Sequence, residues 1–327
     1  MTPTRLLASC ALALGAVGLL GAAPAASAAG YPDHPIRLIV PTSPGSTADV
    51  VARVVAENLG KTLAQPMIVE NLAGAAGIPG TRQLVSAKPD GYTLGIVSSN
   101  HAINPSLYKS LPYDAVKDIT PISVIGTTPL VVVVAENSPY KTVGDLLKAA
   151  REQPGKINYG SSGTGSVLHL AGELLKSKAG VDMMHIPYKG GNALITDVMS
   201  GQIQVAFLAI PSVVAQVQAG KLRALAVSTP ERVGVLPDVP TLDEAGVKGY
   251  SYDAWISLIG PAGLPADVVQ KLQAATRKTM QEPAVLKALS PQGFVAQGTS
   301  AEQAAQTLAA EIIKSQTLVK AAGVTIE

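Results

Sequence analysis

A chain of 327 residues with 25 Lys and Arg against 23 Asp and Glu carries a formal charge of +2, too balanced to point to nucleic acid or an anionic membrane surface as partner. Its one cysteine, Cys10, lies in a segment that reads as an export signal, so the mature chain is expected to hold no disulfide, thiol nucleophile or thiolate metal ligand. One Trp and two Phe are too few for a carbohydrate cleft built from aromatic platforms.

Residues 1–28 combine Arg5, an apolar stretch from Leu6 to Ala23 and the small-residue series Ala25–Ala28. This order of charged, apolar and A-x-A regions predicts a cleaved signal, a mature start near Ala29 or Gly30, and a periplasmic location. Leu7–Cys10 resembles a lipoprotein cleavage box, but the apolar region it requires follows Cys10 instead of preceding it. The remaining chain, about 298 residues, is long enough for two ordinary domains stabilised by burial alone. No later segment approaches a membrane span: the most apolar run, Pro129–Ala135, is about a third of the needed length and rich in β-branched residues.

Strand and helix signals then alternate, the pattern of an α/β protein with mainly parallel sheets flanked by helices. Strands are expected at Ile36–Val40, Pro66–Glu70 and Tyr92–Val97. Each ends in a small polar loop: Pro41–Asp49, Asn71–Gly80 and Ser98–Asn100. Further strands are expected at Ile157–Tyr159, Asp182–Ile186, Val205–Leu208 and Leu222–Val227. The long apolar segment Ile122–Val134 and the later Tyr250–Ile259 read as two strands crossing between lobes. The resulting expectation is a signal at 1–28, a discontinuous first domain at 29–127 plus 251–327, and an inserted second domain at 128–250. From Pro265 the pattern turns helical, over Asp267–Gln281, Pro283–Leu289 and Ser300–Ala322.

Strand-to-helix loops of this kind present helix N-terminal N–H groups, and several facing one cleft would hold a small anion such as a carboxylate. Competing chemistries lack their residues. Neither Gly163–Gly165 nor Gly74–Gly80 completes G-x-G-x-x-G, because Leu168 occupies the place of the third glycine, and no P-loop occurs. Gly160–Gly163 lacks the G-x-S-x-G elbow of a serine hydrolase, and His34, His101, His169 and His185 suggest no triad. His101 is expected beside Asn100 at the cleft. The scattered histidines and the absence of a calcium loop leave no metal site in view. Asp49 reads as a first-turn carboxylate capping N–H groups, with Arg53 as its i,i+4 partner. Trp255 is either ordinary core or a ligand-flanking ring.

A set of segments carries a family likeness: Tyr31–Arg37, Pro44–Arg53, Glu70–Gly77, Lys88–Leu94, Asn158–Gly165, His185–Gly190, Gly220–Val227 and Leu236–Thr241. In this order, over essentially the whole mature chain, they resemble the extracytoplasmic solute receptors of the tripartite tricarboxylate transporter class, the TctC or Bug-type binding proteins. The resemblance implies a two-lobed periplasmic-binding-protein-like fold without catalytic activity, cofactor or metal. It implies a carboxylated solute held by backbone amides, hydroxyls and ordered water, and delivery to a large and a small membrane subunit. By matching position, the first-lobe contacts would be Ser43, Ser46, Thr47, Ala75, Ala76 and Asn100. Those of the second would be Ser161, Ser162, Thr164, Gly165, Lys189, Gly190 and Gly191. Where many relatives carry an acidic or amide residue after the Phe of a later strand, this chain reads Leu208 and Ala209. Ala209 in the cleft would turn preference from amino acids towards dicarboxylates or aromatic carboxylates. The alternatives are an exported enzyme acting on carboxylates on a similar scaffold, which requires an activated nucleophile or acid–base pair, and presentation of the solute to a sensor kinase. Neither charge nor composition suggests oligomerisation, and a monomer is expected.

Overall fold

The computed structural model describes residues 30–188 and 191–324, so the expected export signal lies outside the described residues. In chain order, β1 (Ile36–Val40) leads to α1 (Thr47–Leu63), β2 (Met67–Asn71) to a 3-10 turn at Ala75–Gly77 and α2 (Ile78–Val85), and β3 (Thr93–Ser98) to α3 (Asn100–Leu107). β4 (Ile119–Thr128) and β5 (Leu130–Ala135) follow, then α4 (Val143–Glu152), β6 (Asn158–Ser161), α5 (Val167–Ala179), β7 (Met184–Pro187) and α6 (Gly191–Met199). The chain continues through β8 (Val205–Ala209), α7 (Ile210–Gln218), β9 (Leu222–Val227), β10 (Ala254–Pro261), α8 (Ala266–Met280), α9 (Pro283–Leu289), β11 (Val295–Ala296) and α10 (Ala301–Ala321).

Two sheets organise these elements into two lobes. The first has strand order β11-β4-β10-β3-β1-β2 and the second β7-β6-β8-β5-β9. Both are mixed, which corrects the expectation of mainly parallel sheets. β1 is parallel to β2 and β3, and β6 to β7 and β8, but β10 runs antiparallel to β3 and β4, and β5 to β8 and β9. The reason is the crossing itself. A strand that has just come over from the other lobe starts at the facing edge, and so runs against the strands that end there.

The continuous strand expected over Ile122–Val134 is broken at Pro129, which has no N–H to donate to a ladder. Its carbonyl accepts the Ile210 N–H, at the start of α7. On the return path, the strand begins only at Ala254, because Tyr250 and Tyr252 remain anchored in the second lobe. Both rings are buried in the core that also holds Leu170, Leu175 and Phe207, and the Tyr250 hydroxyl donates to Ala171 O at 2.8 Å. Trp255, by contrast, is 5% exposed and packs with Ile39, Leu84, Val97 and Leu308 under α2, α3 and α10, which makes it core.

The two crossings are tied together by polar groups. Ser228 accepts the Leu130 N–H at its hydroxyl (2.9 Å), donates that hydroxyl to Asp253 Oδ1 (2.9 Å), and accepts the Tyr252 N–H at its carbonyl. Asp253 also borders a cavity of 590 Å³ lined from both lobes by residues including Thr127, Thr229, Arg232, Val235, Phe294 and Gln297. This cavity lies towards β11, on the other side of β4 and β10 from β3, β1 and β2. Burial pushes the Asp253 carboxyl up to about 6, against the lowering effect of the Ser228 hydrogen bond and Lys314. A raised carboxyl pKa means that the folded state binds the proton more tightly between pH 3.8 and about 6, so stability is lost as pH rises through that window. Asp253→Asn keeps an acceptor for Ser228 and removes the charge. It should therefore raise stability by about 1–3 kcal/mol at pH 7–8 and leave it unchanged near pH 3.5, as read from thermal melts at both pH values; equal effects at the two would exclude ionisation as the cause.

Candidate functional site

Six helices start immediately beyond strand ends that face the other lobe: α1, α2 and α3 after β1, β2 and β3, and α5, α6 and α7 after β6, β7 and β8. The register places these ends at the crossings, with Ser98 beside Ile256, Thr128 beside Ala254, and Ala209 beside Leu130. The first-turn N–H groups of such helices have no intrahelical acceptor and present partial positive charge. What each loop does with them depends on its side chains.

In the first loop, Ser46 caps α1 by accepting the Asp49 N–H, and its hydroxyl also meets Thr42 Oγ1 at 2.8 Å. Asp49 is 3% exposed. Its carboxylate accepts the Gly45 N–H (2.8 Å), Arg53 Nε (3.1 Å) and Asn71 Nδ2 (2.9 Å). Burial acts to raise this carboxyl, but the bonds from Arg53, Gly45 and Asn71 outweigh it and hold the group below the usual range. Asp49 and Arg53 therefore shape the loop, as their spacing predicts. In the second loop Ala76 adopts a left-handed conformation (φ 54°), and its carbonyl accepts Asn104 Nδ2 at 3.1 Å. The sequence reading passed over Asn104, a buried amide inside α3 whose only sequence signal is its place one turn after Asn100. Ala75 opens the 3-10 turn of the same loop, and Asn100 opens α3. His101 does not face the cleft, which corrects the expectation. It is 3% exposed, donates Nε2–H to Ala115 O at 2.8 Å, and burial lowers its pKa.

In the second lobe, Ser161 ends β6 fully buried. Its hydroxyl oxygen accepts the Gly163 N–H (3.2 Å) and lies 3.1 Å from Gly163 O and 2.7 Å from His185 Nε2. Gly165 donates its N–H to His169 Nδ1 at 3.0 Å, so that amide is already occupied. Ser166 caps α5. The half-buried Ser162 and the exposed Thr164 have hydroxyls with no hydrogen bond to any described residue, and the same holds for the side chains of Ser43, Thr47 and Asn100. Gly191 begins α6, while Lys189 and Gly190 lie outside the described residues. Ala209, partly exposed, precedes α7 and accepts the Ser212 hydroxyl at its carbonyl (2.7 Å), whereas Leu208 is buried in the core. None of the candidate residues lines the 590 Å³ cavity.

The fold also makes contacts that linear spacing hides. His169 and His185, scattered in sequence, stack with ring centroids 3.7 Å apart. Ser161 and His185 form a Ser–His pair, yet the hydroxyl is sealed from solvent and held by Gly163, and no described carboxylate hydrogen-bonds to His185 Nδ1. Such a pair lacks both the access and the orienting acid of a nucleophilic site. Among the described residues no group of three or more His, Cys, Asp or Glu is placed to hold a metal ion.

Residues 51–324 match the tripartite tricarboxylate transporter family receptor. BugT of Bordetella pertussis is 33% identical over 329 residues, covering 100% of both chains. Among solved structures, Rpa4515 of R. palustris with adipate has a TM-score of 0.80 and 31% identity over 90% of this chain and 100% of that one. MatC from Rhodopseudomonas palustris with bound malate has a TM-score of 0.75 and 29% identity over 88% and 100%. The chain belongs to the tripartite tricarboxylate transporter family of receptors, the TctC or Bug-type proteins, which are two-lobed solute-binding proteins and not enzymes.

Proposed function

We propose that this protein is a periplasmic receptor that closes its lobes on a small carboxylated solute, a dicarboxylate or an aromatic carboxylate, and delivers it as a monomer to a large and a small membrane subunit. The observation that carries this reading is the six helix starts at the facing edges. Among the described residues the candidates there bring N–H groups, hydroxyls and an amide and none is charged, while Lys189, the one cation expected at the site, lies outside the described residues. Helix N-termini each offset an anionic charge by about 0.3–1 kcal/mol, so several acting together replace an arginine clamp. Adipate in one relative and malate in another support the dicarboxylate class. Ala209, apolar at the rim of α7, offers no anion to an amino group.

In this reading the lobes are 29–127 with 251–327, and 128–250 between them. The sheet-to-sheet crossings at Pro129 and between Val227 and Ala254 support that division. Ser43, Thr47 and Asn100 from one lobe and Ser162 and Thr164 from the other reach the solute together only when the lobes close. The solute thus favours the closed form by its differential affinity, and that form is what the membrane partners recognise.

A thermal-shift series of residues 29–327 with adipate, malate, aromatic carboxylates and amino acids checks the class. A bound carboxylate at a hundredfold excess over its Kd adds about 2.7 kcal/mol, and stabilisation by amino acids alone would exclude the reading. Ser162→Ala combined with Thr164→Ala should weaken carboxylate binding by roughly 1–3 kcal/mol through lost hydrogen bonds to a charged group, measured by titration calorimetry; an unchanged Kd removes this loop from the site. Ala209→Asp should abolish dicarboxylate binding by like-charge repulsion at the same rim.

A further inference from the structure

Beneath the Ser161–Gly165 loop lies a layer of titratable side chains that the proposed solute contacts do not use. His169 from α5 and His185 from β7 stack at 3.7 Å with an interplanar angle of 15°, and each ring holds one end of the loop. His185 Nε2 meets the Ser161 hydroxyl, and His169 Nδ1 accepts the Gly165 amide. The second bond fixes a protonation state: an amide N–H requires a bare ring nitrogen, so His169 is neutral with its proton on Nε2. A consistent pattern at the first contact has His185 Nε2–H donating to Ser161, whose own hydroxyl hydrogen goes to Gly163 O while its oxygen accepts the Gly163 N–H.

The surroundings oppose charge on the pair. Tyr159 from β6 tilts against His185 at 5.0 Å, with its own edge contact to Phe207 of β8. Its hydroxyl donates to Glu173 Oε1 at 2.6 Å, and the same oxygen accepts Lys176 Nζ at 2.9 Å. Lys176 also lies 3.8 Å from Asp182. Glu173 Oε1 stands 3.9 Å from His169 Nε2, beyond hydrogen-bond distance, and its charge is already shared by Lys176 and Tyr159. Burial lowers the pKa of both histidines, and for His185, brought down to about 4, the His169 ring adds to the effect. The stack is pinned from below, since a Cβ on Gly172 would lie 2.3 Å from the Tyr159 ring. From above, Gly165 (φ 75°) leaves no room for a side chain against Leu107 of α3, in the other lobe.

We propose that His169 and His185 are positioning residues for solute capture: two uncharged, stacked imidazoles set the shape of the Ser161–Gly165 loop, and protonation of the pair undoes it. A proton on His169 Nδ1 replaces the acceptor of the Gly165 amide with a donor, and the loop that presents Ser162 and Thr164 loses its anchor at the face against Leu107. Capture therefore fails in acid although no histidine touches the solute. This inference rests on the reading that the loop contacts a carboxylate.

The test has two arms. In NMR titrations of the solute-free protein, the Gly163 and Gly165 amide signals should shift with the same apparent pKa as His169 and His185. Amides that stay in place while His169 titrates would overturn the proposal whatever the solute. In the second arm, the Kd for adipate and for malate is measured from pH 7.5 to 3 in the wild type and in His169→Asn with His185→Gln, which retain an acceptor and a donor at the same ring positions without titrating. Protonation of the solute is common to both proteins, so their ratio isolates the pair. With each protein normalised to its own affinity at pH 7.5, the wild type should lose affinity relative to the variant by about tenfold per pH unit below the pair's pKa. Parallel profiles would overturn the proposal. Failure of the wild type to bind either dicarboxylate at pH 7.5 counts against the solute class alone, and the amide titration then decides the coupling.

Discussion

The structure depends on how it treats the first-turn N–H groups of helices that start at the facing edges of its two sheets. Each such helix exposes donors that cannot be satisfied within it. One in α1 and one in α5 are claimed by the caps Ser46 and Ser166, and the loop amides just before those caps are claimed by buried side chains: Asp49 takes the Gly45 amide, Ser161 the Gly163 amide, and His169 the Gly165 amide. These bonds fix the loops. The donors and hydroxyls left over, at Thr47, Ser162 and Thr164, are what a carboxylate would complete. Structural and ligand-directed groups are thus divided within a few residues of each other, and loop shape precedes affinity.

The two lobes solve the same problem with opposite chemistry. Below the first loop lies an ion pair of Asp49 and Arg53 bridged by the neutral amide of Asn71, in which hydrogen bonds keep the carboxylate charged. Below the second lies a neutral aromatic stack of Tyr159, His169 and His185, which touches the nearby Glu173–Lys176 pair through the Tyr159 hydroxyl. An ionised base resists acid down to its lowered pKa, whereas an imidazole pair gives way nearer to neutrality. Acid sensitivity therefore belongs to one lobe. The crossings add a group of a third kind, a carboxyl at Asp253 whose burial raises its pKa and costs stability at neutral pH.

The alternation of strands and helices, the loop positions and the family likeness were all legible in the sequence, because strand hydrophobicity, small polar loops and helix caps are local signals. Ser300 caps α10 at the head of the helix expected from that residue, and the Asp49–Arg53 spacing correctly announces an ion pair. Sheet direction was not legible. Antiparallel β5 and β10 follow from where the chain re-enters each lobe, which no window of residues records. The long apolar segment before Val134 likewise hid a break, since Pro129 interrupts hydrogen bonding without interrupting hydrophobicity.

The site divides along the same line. Sequence by itself determined which residue types fill the strand-to-helix loops, and the lack of charge among most of them, because those follow from composition at strand ends. Tertiary structure alone decided which of them are occupied. Ser161 and Gly165 look as available as Ser162 and Thr164 until His185 and His169 arrive from β7 and α5 to hold them, and Asn104 is an ordinary helical amide until Ala76 turns left-handed beside it. Hydrogen bonds between segments distant in sequence consume particular donors and acceptors one at a time. That pairing is fixed by distances in space, and only the folded chain contains them.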